Sequence, residues 1–194
     1  MSELLLDKID FESGQILIVS DGEKLCALDF AGYESRMMKL LEKRYGSVHF
    51  IEKSNPQGFS DRIRSYLAGE FSSVDEIPVS TGGTSFQQQV WFALRSIEPG
   101  TVITYGELAQ KIGRPTAHRA VGMTNSLNPV AIVLPCHRVI GTNANLTGYA
   151  GGLECKRWLL QHEGVGLTKF TKSRSLVSSN GQRTTDNGQR TKND

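Results

Sequence analysis

Residues 128–141 read Asn-Pro-Val-Ala-Ile-Val-Leu-Pro-Cys-His-Arg-Val-Ile-Gly. Val130 to Leu134 is an unbroken apolar run, rich in β-branching and bounded by prolines, which predicts a short buried strand. Pro135 ends the run, and a proline at the first position of a helical turn leaves the next residue beside free backbone N–H groups. That residue is Cys136, followed by His137, a proton acceptor, and Arg138, a fixed positive charge. A thiol in such company is expected to titrate below its ordinary value of roughly 8.5. The competing reading is a small core hydrophobe, the usual role of a free cysteine.

Downstream, Thr142 to Gly152 is polar and glycine-rich, suited to one wall of a pocket. A helix is predicted over Leu153 to Glu163, with Cys155, Trp158, Leu159 and His162 inward at i, i+3, i+4 and i+7. Glu163 then falls in the last turn before Gly164, where the helix dipole disfavours a carboxylate by about 0.3–1 kcal/mol. It needs a partner or full exposure. Beyond Thr168 the chain is rich in Ser, Thr, Asn and Gln and repeats Asn-Gly-Gln-Arg-Thr at 180–184 and 187–191, so residues 169–194 are expected to be a disordered tail.

Upstream, Ser85 with Gln88 predicts a capped helix whose stripe is Phe86, Val90, Ala93, Leu94 and Ile97, stopped by Pro99-Gly100. Thr104 with Glu107 starts a second helix through Lys111; Gly113 breaks it, and Pro115 opens a third to about Asn125. Helix, short glycine turn, helix is a helix-turn-helix. On the third helix Arg119 lies about 200° from Ala117 and so points away from the face of Ala117, Val121 and Thr124. An exposed arginine is commonly a solvated one, but small Ala117, Ala120 and Gly122 would allow close approach to a groove.

The first eighty residues have a different rhythm. Apolar segments between 4 and 30, turning at Asp21-Gly22, predict three antiparallel strands. A helix over Tyr33–Tyr45, a strand over Val48–Glu52 and a helix over Ser60–Ala68, with Ile63, Tyr66 and Leu67 inward, complete an α/β unit. Asp21, Asp29, Asp61 and Asp75 are expected in turns or on solvated faces. Residues 71–84, with Pro78, Gly82 and Gly83, read as a linker. The 194 residues, 38% hydrophobic, suffice for one large domain or two small ones with a core each, and the linker favours an α/β domain over 1–80 and a mainly α domain over 81–168.

No apolar run approaches the roughly 20 residues of a membrane span, and the start lacks the basic and apolar regions of a signal peptide. A cytoplasmic location is expected, nuclear in a eukaryote. Three cysteines without C-x-x-C spacing form neither a disulfide framework nor a zinc set. Charge is uneven: residues 1–81 carry 9 Lys/Arg against 14 Asp/Glu, residues 82–167 carry 7 against 4, and residues 168–194 carry 6 against 2. The basic half is the half expected to face a nucleic acid.

The string Pro-Cys-His-Arg-Val, with Asn128-Pro129 before it and Gly148-Tyr149-Ala150-Gly151-Gly152 after it, closely resembles the active site of the O6-alkylguanine-DNA alkyltransferases, or methylated-DNA–protein-cysteine methyltransferases. The resemblance covers about residues 85–166, and the first eighty more loosely. It implies a ribonuclease H-like N-terminal domain and a winged-helix-like helix-turn-helix domain. Cys136 would accept the alkyl group, His137 would take its proton through a water, and Glu163 would hold the imidazole tautomer. Tyr105 would bond the extruded base and assist protonation of the departing guanine; Asn128 would brace the turn into the active site. The carbonyls around Pro135 and Val139, with Tyr149 and Ala150, would read the base edge. The helix bearing Arg119 would enter the minor groove, Arg119 replacing the flipped nucleotide, with Thr104, Arg114, Thr116, Ala120, Gly122 and Arg138 also contacting DNA.

The implied partner is double-stranded DNA carrying O6-alkylguanine, with O4-methylthymine as a second lesion, bound by a monomer away from any membrane. No cofactor is required. Some members hold a structural zinc near the N-terminus, but Cys26 lacks a second cysteine and His49 does not complete a set. Met123 stands where a smaller residue is frequent, and Asn125-Ser126 where Asn-Gly is. Rival readings are a DNA-binding module without chemistry, a Cys-His hydrolase and a helix-turn-helix regulator. Removing residues 172–194 is expected to leave single-turnover repair of short duplexes nearly unchanged; a large loss at physiological salt would give the tail's basic charge a binding role.

Overall fold

Strict alternation in the second apolar segment puts Ile16 and Ile18 on one side of a strand and Leu17 and Val19 on the other, so the sheet that contains it must be covered twice. The computed structural model describes residues 1–142, 146 and 148–166. In it β1 (Ser2–Phe11), β2 (Gly14–Ser20) and β3 (Leu25–Phe30) form the expected antiparallel meander. β4 (Val48–Glu52) joins parallel to β1, giving the order β3-β2-β1-β4. On one face α1 (Glu34–Tyr45) buries Met37 and Leu41 against Leu4, Leu17, Val19 and Cys26. On the other, α2 (Phe59–Leu67) buries Phe59, Ile63 and Tyr66.

On that second face the two halves of the chain meet. Ile16, Ile18, Leu28 and Phe30 belong to the same apolar cluster as Val90, Leu94, Leu108, Val121 and Leu134, so the two halves share one core. The linker is part of it. Val74 and Ile77 are buried, and the segment runs along the edge of β3: Leu25 N–H donates to Pro78 O at 2.9 Å and Ser80 N–H to Leu25 O at 2.9 Å. No described helix is long and apolar enough to cross a membrane.

In the second half α3 (Ser85–Leu94) is capped one residue earlier than expected, by Thr84 with Gln87. Three-residue spacing fits both pairs, and only the extended backbone of Thr84 makes it the cap. Thr104 with Glu107 caps α4 (Tyr105–Lys111) as read. The next helix, α5 (His118–Ser126), starts after a turn at 115–116 rather than at Pro115. A two-residue parallel pairing of β5 (Ile103–Thr104) with β6 (Val139–Ile140) and a final α6 (Leu153–His162) complete it. The expected tail lies outside the described residues.

Val130–Leu134 is not a strand. One parallel bridge joins Val130 to Leu28, with Leu28 N–H donating to Pro129 O and Ala131 N–H to Leu28 O, both at 3.0 Å; the chain then turns. Leu134 N–H donates to Val130 O at 3.1 Å, and Ile132 has φ 68°, left-handed for a β-branched residue. Such a conformation costs on the order of 1–3 kcal/mol and persists only when burial over-determines it. Ile132, Val133 and Leu134 are 1%, 2% and 0% exposed.

One side chain of α1 ties the halves together. Arg36 donates to Asp29 Oδ2 at 2.5 Å and to the carbonyls of Ser126 at 2.9 Å and Asn128 at 2.7 Å, capping the C-terminal end of α5. Asp29, expected to be solvated, is only 2% exposed; burial pushes its carboxyl up and Arg36 pulls it back. Arg36→Ala is therefore expected to cost about 2–3 kcal/mol in urea unfolding, with part regained in Arg36→Ala/Asp29→Asn. A loss below about 0.5 kcal/mol would make the contact an ordinary surface pair.

Candidate active site

Pro135 leads directly into a single 3-10 turn, Cys136–Arg138, which sets three consecutive side chains in the interior. Cys136 is 3% exposed. Two asparagines fix it: Asn125 Nδ2 donates to its carbonyl at 3.2 Å, and Asn128 Nδ2 to its Sγ at 3.0 Å. Asn128 also donates to Leu134 O at 2.7 Å and accepts from Val130 N–H at 3.0 Å, so the side chain expected to brace the turn is also a ligand of the sulfur.

The expectation of a lowered thiol pKa is corrected. Burial pushes the Cys136 thiol up, and the Asn128 hydrogen bond and the charges of Lys156 and Arg36 only moderate it. A turn of three residues has little dipole to offer, and Arg138 does not face the sulfur. Its guanidinium, 5% exposed, donates to Glu163 Oε2 at 2.9 Å, to Glu163 Oε1 at 2.8 Å and to Ile97 O. Arg138 was also expected at the DNA surface; buried and engaged, it is not available there.

Glu163 is the C-cap of α6 and has the partners its position requires. Oε1 also takes bonds from His137 Nε2 at 2.8 Å and from the Tyr66 hydroxyl at 2.5 Å. Burial alone would raise this carboxyl, but His137 and Arg138 outweigh it and hold it well below the usual carboxylate range. An ionised carboxylate only accepts, so Nε2 of the neutral imidazole carries the hydrogen and Nδ1 carries the lone pair. Nδ1 is buried with no hydrogen-bond partner among the described residues. Burial lowers the His137 pKa and Glu163 opposes the shift. The imidazole rests neutral.

The helical stripe of α6 was misphased. Lys156, Leu159 and Leu160 are buried, whereas Cys155, Trp158 and His162 are half-buried against the N-terminal domain. Lys156 is 0% exposed and Nζ donates to Val139 O at 2.7 Å. Burial pushes its ammonium down to about 8, and Cys136 pulls the other way. Lys156, Leu159, Leu160 and Glu163 have the same i, i+3, i+4, i+7 spacing as the stripe chosen, so the signal existed in the sequence; a lysine at its head concealed it.

In the stretch expected to wall a pocket, glycine permits close packing. A Cβ on Gly151 would collide with Phe30 and press on Tyr149, and one on Gly152, at φ 84°, would collide with Tyr33. Tyr149 packs beside Phe30, ring centroids 6.2 Å apart, and its hydroxyl is buried without a partner among the described residues. Burial raises its pKa well above normal, the Cys136 charge adding to the effect. Ala150 is half-buried beside it. Tyr105 opens α4 next to Gly122, where a Cβ would touch its ring at 3.7 Å. Of the carbonyls expected to read a base, Val139 O already accepts Lys156, and Pro135 O accepts Arg138 N–H at 3.0 Å.

Arg114, Thr116, Arg119 and Ala120 are exposed on the helix-turn-helix, with the Arg114 guanidinium 6.0 Å from the centre of the Phe86 ring. Thr104 spends its hydroxyl on Glu107. Met123, one turn beyond Arg119, is 65% exposed. Among the described residues no group of His, Cys, Asp and Glu is arranged to hold a metal; Cys26 is bonded to Tyr45 Oη at 3.1 Å, and His49 is exposed.

A helix-turn-helix carrying a buried, asparagine-bonded cysteine beside a His–Glu pair defines a class that comparison narrows. Residues 4–81 match the 6-O-methylguanine DNA methyltransferase ribonuclease-like domain and residues 85–165 its DNA binding domain. The chain belongs to this family. The methylated-DNA–protein-cysteine methyltransferase of Shigella flexneri is 47% identical over 170 residues, 86% of this chain and 99% of its own length. That of Methanosarcina acetivorans is 42% identical over 156 residues, 79% of this chain and 96% of its own. The crystal structure of Mycobacterium tuberculosis OGT in complex with DNA superposes with a TM-score of 0.69 at 35% identity, covering 88% of this chain and 96% of that one.

A carboxylate held low in the folded protein contributes stability that is complete above its unfolded pKa of about 4.3 and is lost as pH falls toward the folded value. His137, also lowered, acts in the same direction from about pH 6.5 downward. Glu163→Gln is expected to cost about 3 kcal/mol at neutral pH and to flatten the acid dependence of urea unfolding between about pH 5 and 3. An unchanged slope would place the titrating group elsewhere.

Proposed function

We propose that the protein repairs alkylated duplex DNA by moving an alkyl group from O6 of guanine to Sγ of its own Cys136, once per chain. The observation that carries this reading is the pairing of a buried thiol, bonded by Asn128, with an imidazole whose Nε2 is pinned to an ionised Glu163. Membership of the methyltransferase family and the DNA complex of the mycobacterial relative support it.

Cys136 starts as a thiol. Its proton passes through a water to Nδ1 of His137, and Glu163 neutralises the imidazolium formed. The Asn128 amide and the Lys156 ammonium favour the sulfur charge. The thiolate attacks the alkyl carbon; the S–C bond forms, the C–O6 bond breaks, and its electron pair moves into the guanine ring. Tyr105 helps deliver a proton to the departing base, balancing the one taken from sulfur. The thioether has no leaving group that Cys26 or Cys155 could displace, so the chain is spent. O4-methylthymine offers the same kind of alkyl–oxygen bond. One chain holds every participant, so a monomer suffices, and a reducing compartment, cytoplasm or nucleus, keeps the thiol available.

The O6 alkyl carbon is shielded in stacked DNA, so the base is extruded and α5 occupies the minor groove with Arg119 in the gap. Cys136→Ser is expected to abolish transfer of tritiated methyl while leaving duplex affinity nearly unchanged; surviving label would move the acceptor to Cys26 or Cys155. Arg119→Ala is expected to slow repair in duplex DNA tenfold or more, since unstacking costs a few kcal/mol and about 1.4 is tenfold, yet to react normally with free O6-benzylguanine. Equal loss on both substrates would make Arg119 a pocket support.

A further inference from the structure

We infer that Tyr66, a residue of the N-terminal domain, is a positioning residue for alkyl transfer that acts through Glu163. The inference rests on the function proposed above. It starts from the longest-range polar contact to the site: the Tyr66 hydroxyl, on α2, donates to Glu163 Oε1 at 2.5 Å across 97 residues of sequence. Tyr66 is 0% exposed and belongs to the core shared by the two halves. Its ring is fixed edge-on by Phe71, with centroids 5.6 Å apart, and by His162, also at 5.6 Å, and its carbonyl bonds His162 Nε2 at 2.9 Å. The phenol therefore has one orientation.

The oxygen it reaches is the one that receives His137 Nε2. Arg138 grips both carboxylate oxygens, and the Tyr66 hydroxyl, from another element, loads the same oxygen that faces the imidazole, so Oε1 is met from three sides. Burial and the neighbouring carboxylate hold the phenol far from ionisation, so it donates at every working pH. By taking part of the charge on Oε1, Tyr66 also limits how strongly Glu163 favours imidazolium, keeping His137 a neutral acceptor. The charged or titratable groups around this pair are Arg138 on the 3-10 turn, Lys156 and His162 on α6, and Cys136 and Tyr149 at the pocket. Arg36 and Asp29 act on Cys136 at a distance, whereas Tyr66 brings a donor from the first eighty residues directly onto Glu163. The N-terminal domain thus contributes a functional group as well as packing.

Tyr66→Phe keeps the ring and removes only the donor. Benzylation of Cys136 by free O6-benzylguanine, followed by intact-protein mass spectrometry across pH, separates the roles, because no DNA binding or flipping intervenes. The rate near neutral pH is expected to fall roughly fivefold or more, the effect of losing a bond to a charged group. With less of its charge taken, Glu163 favours imidazolium more, so the acid limb moves to higher pH by roughly half a unit or more. On a Glu163→Gln background Tyr66→Phe should change neither rate nor profile further. A stable Tyr66→Phe protein with native rate and profile, or one less stable but with an unmoved profile, would overturn the inference. So would effects that add on the Glu163→Gln background. Failure of the unmodified protein to take tritiated methyl from O6-methylguanine in duplex DNA onto Cys136 would overturn the proposed function instead.

Discussion

A single carboxylate, that of Glu163, joins the two halves of the chain and orders the reacting residues. Taking a carboxylate out of water costs several kcal/mol unless its lone pairs are met by well-placed donors. Here they come from Tyr66 on α2, His137 and Arg138 on the 3-10 turn, and the carboxylate itself closes α6 against the unfavourable end of the helix dipole. Removing any donor leaves a buried charge under-compensated. The arrangement is therefore rigid, and in the proposed reaction it supplies the base that a buried thiol needs.

The thiol itself is kept neutral by burial. A reactive thiolate at rest would be exposed to oxidation, and on the proposed function, in which one transfer spends the chain, early reaction gains nothing. The sulfur instead sits beside groups that favour its charge once the proton leaves: the Asn128 amide at 3.0 Å and the buried Lys156. His137, neutral and with a bare Nδ1, is the acceptor that the proposed reaction uses. Activation thus depends on position more than on a strongly shifted resting pKa.

Features set by neighbours along the chain were legible in the sequence. The meander, Val48–Glu52 and the Thr104–Glu107 capping box follow from period-two alternation and three-residue cap spacing. The need of Glu163 for a partner was legible too, because the helix dipole acts within one turn. What escaped depends on contacts distant in sequence. Val130–Leu134 is apolar on all sides, so its composition fits a strand and a buried turn equally, and only the left-handed Ile132 decides. Arg138 reads as a DNA contact until Glu163, 25 residues away, is seen to hold it. Lys156 was hidden because charged residues rarely fill the core, and Asp29 because its partner Arg36 lies on another element.

The central claim is that Glu163 keeps the site at rest as a protonated thiol beside a neutral imidazole bearing its hydrogen on Nε2. Nitrogen-15 NMR of histidine-labelled protein, assigned by His137→Gln, reads this directly. Between about pH 6 and 8 the account predicts one bare Nδ1 and one protonated Nε2 for His137, unchanged across the range. Both nitrogens protonated near neutral pH, as in a thiolate–imidazolium pair, would contradict it.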